Sequence, residues 1–191
     1  MSQVRRHHRY TYADYVALER DSAIKHEFFD GEIYAMAGGS DEHAALAAET
    51  IGLLRATARP RSCRVYTSDL RIYVEAVTLA TFPDATVICG PLERYAPGPE
   101  TTALNPMILV EVTSDSSEEY DPGAKVEYYR TIPTLREYVI VSHRERRITV
   151  HARESNDTWS TQVAIKGGSV EISSLAMTLD VDEIYLDSAV K

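Results

Sequence analysis

Cysteine is nearly absent from this 191-residue chain, which carries only Cys63 and Cys89. Two cysteines cannot supply a disulfide framework. Both sit in apolar, strand-like stretches (Cys63-Arg-Val-Tyr and Thr-Val-Ile-Cys89), where a buried free thiol is expected. Cys and His are too few at ligand spacing for a zinc site. No apolar run approaches the roughly 18 residues needed to cross a bilayer, and the polar, basic start from Met1 to Arg9 has no apolar signal core. A soluble, cytoplasmic protein without membrane contact is expected. Basic residues are also scarce, 20 Lys and Arg against 29 Asp and Glu, for a net charge of −9. That balance argues against a protein that coats nucleic acid by bulk electrostatics. Repeats, low-complexity tracts and interdomain linkers are missing too, and neither His7-His8 nor the single Trp159 marks a specific site.

Apolar residues make up 44% of the chain and charged ones 26%, an ordinary globular balance in a chain long enough to bury a core. The expectation is one domain over residues 1–191, with 1–10 flexible. Thr11-Tyr-Ala-Asp14 fits a capping box opening a helix to about Arg20. Asp30-Gly31 between apolar segments reads as a tight hairpin. Ser40 caps a long Ala/Leu-rich helix to about Ala58, with Leu46, Thr50, Leu53 and Leu54 facing the core, and Pro60 ends it. Strands are predicted at 63–67, 70–74, 86–89, 107–112, 138–141, 148–151, 158–165 and 170–172, the last two extending the sheet. A helix starts at Asp121 or Pro122 and runs to about Thr131, and 181–185 forms a final helical turn. The Pro- and Gly-rich stretch from Gly90 to Pro106 is a long loop, of the kind that often carries function. The order predicts an α/β or α+β fold, a mixed β-sheet with helices against it.

Glu111 is the most informative residue. A carboxylate inside Ile-Leu-Val-Glu-Val is costly to bury unless it is paired or bound to a cation. Asp84, following Pro83, enters another predicted strand. Two carboxylates on neighbouring strands can share one hard divalent ion, since Mg²⁺ takes one or two carboxylates, waters and phosphate oxygens. Asp121, Lys125 and Tyr129 are spaced four apart and share one helix face. An ammonium there can neutralise phosphate charge and orient an attacking water, so the parts for phosphodiester hydrolysis are present. The basic surface such chemistry needs is offered by Arg5, Arg6, Arg55, Arg59, Arg61 and Arg64, and by Arg144, Arg146 and Arg147. Each of these residues also has an ordinary reading. Asp84 and Asp69 suit turns, Lys125 suits an exposed helix face, and Glu111 with Lys125 suits a structural buried ion pair.

Pro83-Asp84, Glu111-Val-Thr-Ser, Asp121-Pro-Gly-Ala-Lys125-Val-Glu-Tyr-Tyr129 and Leu135-Arg-Glu-Tyr-Val-Ile-Val141 together resemble the Uma-type restriction endonucleases of the PD-(D/E)XK nuclease superfamily. Glu27-Phe-Phe-Asp-Gly-Glu-Ile-Tyr, Ser40-Asp-Glu-His43 and Ser68-Asp69-Leu-Arg-Ile resemble the N-terminal half of the same family, so the resemblance runs from about Tyr12 to about Val150. It implies a restriction-endonuclease-like mixed sheet flanked by helices, Mg²⁺-dependent cleavage of DNA (with Mn²⁺ as a substitute), and a homodimer. Asp84 and Glu111 would be metal ligands with the Val112 carbonyl, Glu27 a further acid of the site, Lys125 its cation, and His43 a lining residue. The superfamily's usual lysine two residues after the glutamate is Thr113 here; the resemblance to the Uma-type pattern implies that the lysine stands on the next helix, as Lys125. A second reading is a nuclease-like fold kept as a nucleic-acid-binding or protein-interaction module without catalysis.

Overall fold

Thr11 begins the first helix as its sequence predicts. In the computed structural model, which describes residues 9–99, 101–115 and 123–191, its hydroxyl accepts from the Asp14 N–H while the Asp14 carboxylate accepts from the Thr11 N–H at 2.8 Å. These bonds satisfy donors that helix α1 (Tyr12–Asp21) would otherwise leave open. Strands β1 (His26–Phe29) and β2 (Glu32–Ala35) follow as a hairpin. Asp30 and Gly31 at its tip have φ of 44° and 87°, as a two-residue turn matched to strand twist requires. Ser40 caps α2 (Asp41–Ala58) by accepting from the His43 N–H at 3.1 Å, and Pro60 closes it in a 3₁₀ turn.

Five strands form one sheet in the order β2-β1-β5-β4-β7, with β4 at Arg71–Val74, β5 at Leu79–Thr81 and β7 at Thr102–Ala103. Six more form a second sheet from β3 (Cys63–Thr67), β6 (Ala85–Cys89), β8 (Ile108–Val112), β9 (Glu137–Val141), β10 (Arg147–Arg153) and β11 (Trp159–Ile165). Its order is β11-β10-β9-β8-β6-β3, antiparallel except for the parallel β8–β9 pair. Helix α3 (Ala124–Arg130) lies in the crossover between those two strands, the connection a parallel pair requires. The result is the expected mixed α+β architecture. Among the described residues no helix is long and apolar enough to cross a membrane.

β8 is buried throughout and lies inside the sheet, as its near-continuous apolar run predicts. Its alternate residues Ile108, Val110 and Val112 share a core with Leu46 and Leu54 of α2. Leu109 belongs instead to the core that holds Val126 and Tyr129 of α3. Strand alternation gives Glu111 the parity of Leu109, so the acid is directed to the side where α3 packs.

Three expectations change. Cys63 and Cys89 are not free thiols; they are directly opposite in the β3–β6 register and disulfide-bonded, a pairing their separation of 26 residues does not reveal in sequence. β12 (Ser169–Ile172) does not extend the main sheet but pairs with β13 (Met177–Asp180), a strand too short and weakly alternating to be predicted, ahead of the final turn α4 (Val181–Ile184). The 90–106 loop is partly ordered by β7 and an Arg94–Ala103 bridge.

Candidate active site

Strand register brings the two central acids together. Ala85 pairs with Val110, so one more step of the same antiparallel register sets Asp84 opposite Glu111. Asp84 Oδ2 accepts the Val112 N–H at 2.8 Å and lies 3.2 Å from His43 Nε2. His43 stands in the first turn of α2, and Gly39 makes room for its ring: a Cβ there would lie 2.5 Å from His43 Nδ1.

Glu111 Oε1 takes two bonds from α3, one from Lys125 Nζ and one from the Tyr129 hydroxyl, both at 2.8 Å. Spacing four apart makes this pair of contacts possible from one helix face. Lys125 Nζ also lies 3.1 Å from Glu27 Oε1, which in turn accepts the Thr81 hydroxyl. The side chains of Lys125, Glu111, Glu27 and Asp84 are only 5%, 7%, 14% and 15% exposed. Charges this buried persist only when paired and hydrogen-bonded, and here one ammonium serves two carboxylates. Burial, reinforced by the negative charges of Glu111 and Glu27, holds the Tyr129 phenol well above its usual range. It is therefore a neutral donor that fixes the Glu111 carboxylate.

These groups open on one cavity of about 700 Å³ lined by Glu27, His43, Asp84, Glu111, Val112 and Lys125. Tyr129 lies behind Glu111, outside the lining. Asp121 falls outside the described residues, as do Arg5 and Arg6. No described residue of the 90–106 loop lines the cavity, so the long loop is not where these groups meet. Thr113, in the usual lysine position, is bonded to His143 Nδ1 at 2.8 Å; the ammonium comes from α3. Asp69 is paired with Lys25 at 2.9 Å, which holds its carboxyl below the usual range. Arg144 and Arg147 are taken up by Asp115 and Glu145, at 2.8 and 3.0 Å.

Sequence reasoning misses Lys25, Tyr34 and Thr81. Lys25 and Tyr34 are accessible to counting: Lys25 alternates with Glu27, and a two-residue turn at Asp30-Gly31 sets Tyr34 opposite Glu27, as observed. Thr81 lies on a three-residue strand with no sequence signal.

Among the described residues no three His, Cys, Asp or Glu side chains gather as a ready metal cage. Asp84 and Glu111 on one cavity nevertheless fit a hard divalent cation, because such ions bind through one or two carboxylates and complete their shell with water and substrate oxygens.

The fold is shared with a solved structure described as a putative nuclease belonging to DUF820 from Anabaena variabilis. The TM-score is 0.71 at 16% identity, over 86% of this chain and 92% of that one. Two relatives come from Synechocystis sp.: protein slr1290, 32% identical over 90% of this chain and 89% of its own, and protein sll1609, 28% identical over 85% and 92%. The model of the Uma2 family, described as "Putative restriction endonuclease", matches residues 12–182. With nine-tenths of its length matched by that model and by a relative at 32% identity, this chain belongs to the Uma2 family of restriction-endonuclease-type proteins.

Proposed function

We propose that this protein is a metal-dependent endonuclease that hydrolyses phosphodiester bonds in DNA, with Asp84 and Glu111 holding Mg²⁺, or Mn²⁺ in its place. The observation that carries the reading is the convergence on one cavity of two strand-borne acids, a third acid at Glu27 and the buried Lys125 ammonium. When bound, the cation would supply a lowered pKa for attacking water and polarisation of a phosphoryl oxygen.

The chain's own groups do the rest. The Val112 N–H and the His43 ring hold Asp84, while the Tyr129 hydroxyl holds Glu111, so neither acid has to reorganise when substrate arrives. Val112, at the cavity wall, is the further oxygen donor through its carbonyl. Lys125 carries positive charge to a non-bridging phosphate oxygen as negative charge builds there. Glu27 takes a proton from the water whose oxygen forms the new P–O bond; the old P–O bond breaks and its leaving oxygen takes up a proton from solvent water. A homodimer would present two such sites.

Purified protein with Mg²⁺ is expected to nick or cut DNA, and Asp84→Asn or Glu111→Gln to abolish cutting while far-UV circular dichroism stays unchanged. Cutting at the wild-type rate by either variant removes the assignment. The second reading, a binding module without catalysis, draws on Thr113 in the usual lysine position and on the absence, among the described residues, of three His, Cys, Asp or Glu side chains grouped to hold a metal. Calorimetric Mg²⁺ binding that vanishes in Glu111→Gln counts against it.

A further inference from the structure

The cavity walls are built for something other than a row of phosphates. Beside the acids stand Ile24, Tyr34, Met36, Ala44, Ala47 and Ile51. The cavity's two lysines are already engaged, Lys25 with Asp69 and Lys125 with Glu27 and Glu111. A protein that grips a duplex through about 6–10 phosphate contacts makes them with a row of Lys and Arg, and the described residues of this cavity offer no such row.

Two wall residues are exposed despite being large and apolar, Ile24 at 54% and Tyr34 at 47%. Tyr34 lies directly across β1–β2 from Glu27. Opposite residues of an antiparallel pair share a face, with Cβ atoms about 5 Å apart, so an open aromatic ring stands next to a charged group of the site. The Tyr34 hydroxyl is tethered to Glu32 on its own strand, which limits the ring's freedom before any ligand arrives.

Outside the cavity the same helix changes character. Ala44, Ala47, Ala48 and Ile51 of α2 line the wall. Arg55, four residues past Ile51, continues that face, and Arg59, the residue that caps the helix C-terminus, follows it; both are exposed. At 1.5 Å per residue they lie about 6 and 12 Å beyond the cavity. A protein of net charge −9 thus presents an apolar, aromatic cleft leading onto a short arginine track.

We propose that the site takes an unpaired DNA strand, with Tyr34 stacking on the base next to the scissile phosphate and Arg55 and Arg59 holding the backbone beyond it. Stacking platforms joined to a basic track are how single strands are bound without sequence readout. In a continuous duplex the base faces are covered, and the apolar wall has nothing to meet. The inference rests on the nuclease reading for its chemistry, but not for its binding.

The test uses the full chain and one oligonucleotide sequence in three forms: single strand, full duplex, and duplex with an internal unpaired bubble. Binding is read by fluorescence anisotropy with Ca²⁺, cleavage with Mg²⁺. The single strand and the bubble are expected to bind at least tenfold tighter than the duplex. Tyr34→Ala should weaken single-strand binding between about 5-fold and 150-fold, the range of one base-stacking contact, and Tyr34→Phe should restore it. Arg55→Glu with Arg59→Glu should lower the salt slope of single-strand binding by about 1.4, some 0.7 per lost phosphate contact. Equal binding of duplex and single strand, or wild-type binding by Tyr34→Ala, overturns the proposal. Preferential single-strand binding lost in Tyr34→Ala, without cleavage of any form, supports the proposal and overturns the catalytic assignment instead.

Discussion

Lys125→Met removes the cation shared by two buried acids. In the native protein its ammonium lies 2.8 Å from Glu111 and 3.1 Å from Glu27; methionine keeps the stem packed and deletes only the charge. Breaking a buried pair by removing one partner typically costs about 3–5 kcal/mol, because the remaining charge is left uncompensated. That is a large part of the roughly 5–15 kcal/mol a domain has available. At roughly 2–4 °C per kcal/mol for a chain of this size, the melting temperature should fall by roughly 6–20 °C. A divalent cation held by Asp84 and Glu111 would replace the missing charge, so Mg²⁺ should stabilise Lys125→Met more than wild type. The gain is about 2.7 kcal/mol when free Mg²⁺ is a hundredfold above its dissociation constant. Urea unfolding of wild type, Lys125→Met, Glu111→Gln and the double variant, with and without Mg²⁺, measures each quantity. The double variant should be more stable than the sum of the single losses predicts, by about 1–3 kcal/mol, since the two groups touch. A loss below about 1 kcal/mol in Lys125→Met, the value of an exposed ion pair, refutes the electrostatic account. Equal Mg²⁺ rescue of Lys125→Met and the double variant refutes the metal site.

Tyr129→Phe deletes one hydrogen bond to a charged acceptor and should cost about 1.5–3 kcal/mol, together with a fall in kcat at nearly constant KM; wild-type kcat shows that Glu111 needs no such support. Burial raises the carboxyl of Glu137, against the opposing bonds from Ser174. A group whose folded pKa lies above its unfolded value contributes stability that is complete below the ordinary carboxylate range and is lost as pH rises through the folded value. Glu137→Gln should therefore flatten urea midpoints measured across mildly acidic pH, and an unchanged slope shows that Glu137 does not set it. Native thiol titration should detect no free thiol, and reduction of Cys63–Cys89, which closes a separation of 26 residues, should cost about 2–4 kcal/mol. Titration of both thiols in the untreated protein refutes the bridge.

Local chemistry makes much of this protein legible from its amino acids alone. The Thr11 and Ser40 caps, the Asp30-Gly31 turn, the buried run around Glu111 and the face shared by Lys125 and Tyr129 each depend on residues within a few positions, where capping geometry and periodicity act directly. A glutamate inside a core strand announces a partner because its burial is costly without one. Lys125 was already a candidate partner from the sequence; tertiary structure alone decided that the Tyr129 hydroxyl joins it on Glu111 and that Lys125 also reaches the distant Glu27. It also decided that Cys63 meets Cys89 and that β12 turns away to pair with β13. These choices follow from strand register and from the crossover between two parallel strands. Both are set by the balance of burial over the whole molecule, and no short stretch of sequence encodes that balance.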